Sequence, residues 1–183
     1  MSRRIPLIAV LLACLALVGS PSLAEEKALP EYQVKALFLV NFAKYVEWPP
    51  GAFATNSPAF IIGITGQSEI GEHLQKAVEG KKACGHPIVV RAIEKEQDLV
   101  KCHILFISAT EKKHIAKIFS SVNSAPVLTV GETDQFTQRG GIIGFIKKEG
   151  KVRLEIDLNA AREAGLEISS RLLSVADNVT GKP

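Results

Sequence analysis

Few residues of this chain combine the types and spacing that chemistry needs. Cys84 and Cys102 come first. Two cysteines in a small exported domain read as one disulfide, which in the chain-entropy picture stabilises by about 3 kcal/mol. A pair of free core thiols and a metal site are the rival readings. Zinc wants further Cys or His at ligand spacing, and His73, His86, His103 and His114 show no such pattern. Glu132 and Asp134, in Gly131-Glu132-Thr133-Asp134, could serve as acid and base or bind a cation. No partner groups accompany them, and a solvated turn explains the same residues. Ser108 and Ser121 lie in no Gly-x-Ser-x-Gly elbow, and His103, adjacent to Cys102, would point to the opposite face of a strand. No nucleophile and base are brought together, so the expectation is a protein that is not an enzyme and needs no metal or cofactor.

Other residues are better suited to binding. Gly66 and Ser68 lie in a loop between a predicted buried strand and a predicted helix, where α/β folds often hold small ligands. A plain turn at Gly66 with Ser68 capping the helix accounts for them as well, since no phosphate-binding glycine motif is present. Gly140-Gly141 reads as close backbone packing. Tyr45 and Trp48, at the end of an apolar stretch, could anchor a partner or pack in the core. Arg171 could contact a partner or pair with a carboxylate such as Asp157.

Whatever positions these residues must first be exported. Residues 1–24 have a basic start at Arg3 and Arg4, an apolar run from Ile5 to Val18, and a small-residue site, Ser22-Leu23-Ala24. This predicts a secretory signal peptide cleaved after Ala24. An uncleaved anchor would need a longer run than Pro6 and Gly19-Ser20-Pro21 allow. A lipoprotein signal ending at Cys14 would leave an apolar segment just beyond it. Removing Arg3 and Arg4 takes the net charge from +3 to +1, with 20 basic against 19 acidic residues. That balance gives no support to nucleic acid as a partner.

The remaining chain predicts a flexible leader, 25–30, and one domain, 31–183. Glu31 to Glu47 predicts a helix apolar around most of its circumference, ended by Pro49-Pro50-Gly51. Continuous apolar runs at 60–65, 103–108 and 125–130, with a β-rich segment at 87–93, predict strands covered on both faces. Helical spacing at 68–78 and 110–122 separates them. Residues 141–147 and 151–158 flank Lys148-Glu149-Gly150 and predict an antiparallel hairpin. A short helix capped by Asn159 (160–164) and a terminal helix (168–179) follow. The fold class is therefore α/β, a mainly parallel central sheet of about six strands flanked by helices, with the hairpin near its C-terminus.

Five segments together resemble the YfiR family of exported bacterial proteins: YQVKALFLVNFAKYVEWP (32–49), FIIGITGQSEIG (60–71), CHILFIS (102–108), PVLTVGETDQFTQRGGIIGFI (126–146) and VRLEIDLNAAREAGLEISSRLL (152–173). The resemblance implies a periplasmic, homodimeric regulator. Such a regulator restrains a membrane-bound diguanylate cyclase through the cyclase's periplasmic sensor region, lowering cyclic di-GMP and biofilm formation. It also implies sequestration by an outer-membrane lipoprotein, and it carries no catalytic residues over. Cys102 matches a position where family members tend to have a disulfide cysteine. The alternative function is a small-molecule-binding periplasmic module.

Overall fold

The computed structural model describes residues 29–53 and 59–181. The predicted signal peptide and most of the predicted leader lie outside the described residues. Helix α1 (Glu31–Tyr45) buries Lys35, Ala36, Leu39, Val40, Phe42 and Ala43, and leaves Leu37, Asn41 and Lys44 exposed. The β-branched Val46 turns the chain extended at its end (φ −118°, ψ 137°), and Pro49-Pro50 prevents the helix from resuming.

The next elements are β1 (Val46–Glu47), β2 (Phe60–Thr65), α2 (Ile70–Val78), β3 (Lys82–Ala83), β4 (His86–Ala92), β5 (Ile104–Ile107), α3 (Ile115–Val122) and β6 (Leu128–Gly131). The chain ends with β7 (Ile143–Lys148), β8 (Lys151–Asp157), α4 (Leu158–Glu163), β9 (Glu167–Ile168), α5 (Ser170–Leu173) and β10 (Asn178–Thr180). Eight strands form one sheet in the order β10-β8-β7-β6-β5-β2-β4-β3, and β1 and β9 form a separate antiparallel ribbon. Pairing in the large sheet is parallel except for β3 with β4 and β7 with β8.

Both faces of the central strands β2, β5 and β6 are covered, as their continuous apolar runs require. Ile62, Ile64, Phe106 and Val130 pack toward α1 and α2. Ile61, Leu105 and Ile107 pack toward Ile115, Ile118 and Val122 of α3. Alternating residues of one strand thus serve two cores.

The mainly parallel α/β class holds, but the large sheet has eight strands where about six are expected. The terminal helix is the main correction. Glu167–Ile168 pairs with β1, α5 lasts four residues, and Asn178–Thr180 runs parallel to β8 as the sheet's edge. Of Ile168, Leu172, Val175, Ala176 and Val179, the apolar residues whose helical spacing predicts that helix, only Leu172 is buried, and Val175 stays 57% exposed. A helix continued through 168–179 would have had little to pack against, whereas the extended backbone gains ladder partners. Asp157, not Asn159, caps α4, its carboxylate accepting from the N–H groups of Asn159 and Ala160.

Candidate functional site

The carboxyl ends of the parallel strands contain the fold's switch point. From β2 the chain passes through α2 to β4 on one side, and from β5 it passes through α3 to β6 on the other. The loops after β2 and β5 therefore diverge, which in open α/β sheets creates a ligand crevice. Here the chain fills that crevice itself. Gln67 N donates to Thr110 Oγ1 at 3.1 Å, and Ser108 Oγ donates to Gln67 O at 2.6 Å. Gly66, with φ +80°, is so closely faced by Thr110 and Glu111 that a side chain would collide with both. Ser68 Oγ accepts from the N–H of Ile70, the first residue of α2, although the N-cap position itself is held by Glu69. Beside the filled crevice, between the ends of β2 and β4 and the start of α3, lies a pocket of about 190 Å³. Thr65, Ile93, Leu99 and Ile118 line it, with Glu111 and His114 at its edge.

Glu132 belongs to the same end of the sheet but to the interior. Its carboxylate lies 2.7 Å from Lys35 Nζ and also accepts from Ala109 N at 3.2 Å. Lys35 is paired to Glu31 as well, at 2.6 Å, and Glu31 to Lys147 at 3.2 Å. Burial pulls the Lys35 ammonium toward lower pKa, but the hydrogen bonds it donates to Glu132 and Glu31 outweigh it and the net displacement is upward. Asp134 is exposed near Lys112. The two acids of the Gly131–Asp134 turn are therefore separated, and Glu132 is no solvated loop residue.

The same loop explains the glycines. The Phe136 ring occupies the positions that Cβ atoms on Gly131 and Gly141 would take, so both must be glycine for the ring to enter. Gly140, with φ +104°, ends the short turn Thr137–Arg139 and completes the expected close packing.

At the amino ends of β2, β4 and β5 lies an aromatic cluster. His103 stacks between Phe53 (4.8 Å) and Phe60 (4.7 Å), and His86 stacks on the far side of Phe53 at 5.4 Å. Trp48 stands edge-on to Phe60 at 5.1 Å and donates Nε1–H to His103 O at 3.3 Å. Tyr45 is half-buried, and its carbonyl accepts from Ser169 N. Because Val46 pairs with Ile168, the β1–β9 ribbon brings Tyr45 toward the start of α5, where Arg171 lies, whereas Trp48 leaves from the opposite end of the ribbon. Arg171 is exposed and makes no ion pair among the described residues, and Asp157, its expected partner, caps α4 instead.

The cysteines correct the disulfide expectation: both are free thiols. Cys102 precedes β5 and Cys84 precedes β4, with β2 between those strands. Two strand spacings are about 9.6 Å, beyond the roughly 7 Å between Cα atoms that a disulfide spans. Cys84 sits at an exposed two-residue hairpin turn with Gly85, both at positive φ. Cys102 is buried against Gly63, its thiol pushed up to about 12 chiefly by burial. Among the described residues no group of His, Cys, Asp and Glu could hold a metal ion.

A family model described as YfiR/HmsC-like matches residues 32–177. The chain belongs to this family. No curated protein matches it. Two solved structures share the fold: a conserved domain protein from Vibrio cholerae O1 biovar eltor, at 16% identity and TM-score 0.54, and the ABC domain in complex with L-Trp from Streptococcus pneumonia, at 14% and 0.53. They cover 83% and 82% of this chain, which spans 61% and 60% of theirs. For the YfiR/HmsC-like chain, Lys35 and Glu132 were missed as a pair. The available signal was a lysine in register with Leu39 and Phe42 on the buried side of α1.

Proposed function

We propose that this YfiR/HmsC-like chain is a periplasmic regulatory protein that binds and restrains the sensor region of a membrane-bound signalling enzyme, a diguanylate cyclase. The family match over 32–177 carries this reading. The filled switch-point crevice and the separation of Glu132 from Asp134 support a binding role over a hydrolytic one. Tyr45 and Arg171 at one end of the β1–β9 ribbon, with Trp48 at the other, are the proposed contact. The reading includes export with cleavage after Ala24, a homodimer, and sequestration by an outer-membrane lipoprotein. Deleting the gene and measuring cellular cyclic di-GMP tests it. A rise is expected, and an unchanged level with no membrane cyclase recovered on the purified protein would overturn it.

A second reading, a small-molecule-binding module, is favoured by the pocket of about 190 Å³ that Thr65, Ile93, Leu99 and Ile118 line, although Gly66 and Ser68 are not among its lining residues. A bound ligand stabilises by mass action, so a metabolite screen by thermal melting is its test. One of the structural neighbours is described in complex with L-Trp, which places tryptophan in that screen. Melting unmoved by every compound would count against the reading.

A further inference from the structure

His103 lies where the segment after β1 meets the amino ends of β2, β4 and β5. It is 4% exposed, at the head of β5, in the stack His86, Phe53, His103, Phe60. Successive ring planes in that stack differ by only 4°, 18° and 21°. Ile61 N donates to His103 Nδ1 at 3.0 Å, and His103 O accepts from Trp48. A ring nitrogen that accepts from an N–H carries no proton of its own, so the imidazole is neutral with its hydrogen on Nε2. Nε2 is buried and closes no hydrogen bond among the described residues. The Ala52 carbonyl is near enough to favour a charged ring but not in bonding geometry.

The surroundings give an imidazolium no counter-charge. From β4 the facing group is His86, a second cation if protonated, across Phe53. From the segment after β1 it is faced by Trp48, Phe53 and the Ala52 carbonyl, and from β2 by Phe60 and Ile61, all uncharged. Aromatic faces do attract a cation. A proton on Nδ1 would nonetheless set two donors, its own N–H and that of Ile61, against each other in a buried place.

We propose that His103 is an acid-sensitive latch: protonation of its ring breaks the bond from Ile61, unstacks Phe53, and frees the Trp48–Phe53 exit segment. Since Trp48 and Tyr45 belong to the contact assigned above, opening would change partner binding. That consequence rests on the regulatory reading, whereas the latch itself does not. The direction follows from the titration. Burial first, and His86 second, hold His103 below its ordinary value of 6.5. The stabilisation is therefore complete above the unfolded-state value and is lost as pH falls below it toward the lower native one.

Trp48 is the only tryptophan, so its fluorescence reports on the stack directly. In the exported chain, lowering pH from about 7.5 to about 4.5 should shift Trp48 emission reversibly before far-ultraviolet dichroism changes. His103→Asn, which cannot titrate, should abolish the shift, and His86→Gln should keep it. In the unmodified protein, the protection of Ile61 N–H against hydrogen exchange, taken relative to the intrinsic rate at each pH, should fall over the same range while that of Ile62 does not, a readout that holds even if His103→Asn fails to fold. A constant Trp48 signal, a shift that survives in His103→Asn, or Ile61 protected throughout would overturn the latch. Partner capture compared at the two ends of the pH range tests the regulatory consequence separately. Equal capture despite an open latch would overturn that consequence alone.

Discussion

Lys35 Nζ and Glu132 Oε2 lie 2.7 Å apart although 97 residues separate them in the chain. Both side chains are almost wholly buried, at 6% and 7%. The pair ties the first turns of α1 to the loop after β6, and the Lys35 ammonium also lies 4.8 Å from the centre of the Tyr32 ring. The charge is embedded in groups that satisfy it: two carboxylates for the lysine, and a backbone N–H from Ala109 as well as the lysine for Glu132.

Removing one partner leaves the other buried and uncompensated, so Lys35→Ala is expected to cost about 3–5 kcal/mol in urea unfolding. Lys35→Met with Glu132→Gln should cost less than the two single changes summed, because no isolated charge remains. Additive losses would show that the two side chains act independently. The upward displacement of Lys35 has its own sign. Its contribution is complete below the ordinary 10.5 and is lost as pH rises through the higher native value. Glu31, lowered chiefly by its hydrogen bond from Lys35, contributes above 4.5 and loses that contribution in acid.

Phe136 between Gly131 and Gly141 sets a steric test. Gly141→Ala places a methyl group where the ring lies, and overpacking of this kind costs about 1–3 kcal/mol. Combining it with Phe136→Leu should recover part of that loss, since the smaller side chain vacates the space. If the double variant is less stable than the two single effects predict together, the clash is not with Phe136.

How much of this was legible follows from the residues themselves. FIIGIT at 60–65 matches β2 because continuous apolarity has few uses other than a strand covered on both sides. The segment 168–179 was not legible. Its apolar spacing fits a helix, but the pairings that decide it, Ile168 with Val46 and Val179 with Ile156, are long-range. Gly140-Gly141 could be read as close packing, though the intruding ring of Phe136 could not be named. Tyr45 and Arg171 were each visible, but their proximity depends on the β1–β9 ribbon. The disulfide was inferred from count and compartment, and neither carries the distance across β2.

The thiols should differ sharply in reactivity. The nucleophile is the thiolate, and Cys102 is both buried and held near 12. An alkylating reagent applied to the native exported chain at neutral pH is expected to modify Cys84 alone, slowly, since partial burial raises that thiol too. Cys102 should react only after denaturation. Mass spectrometry without reduction that found both sulfurs linked would restore the disulfide and require a different path for the chain around β4.

Arg171 separates partner binding from folding. It is exposed and unpaired among the described residues, and surface substitutions of this kind stay within about 0.5 kcal/mol. Arg171→Glu should therefore leave the urea midpoint nearly unchanged. If the β1–β9 ribbon is the contact, the reversed charge should slow association with the membrane partner and alter its salt dependence, as rim charges do. Tyr45→Ala gives the complementary measurement, because an aromatic anchor acts mainly through dissociation. A normal association rate and normal capture for Arg171→Glu, together with undiminished capture for a folded Tyr45→Ala, would move the contact away from this end of the molecule.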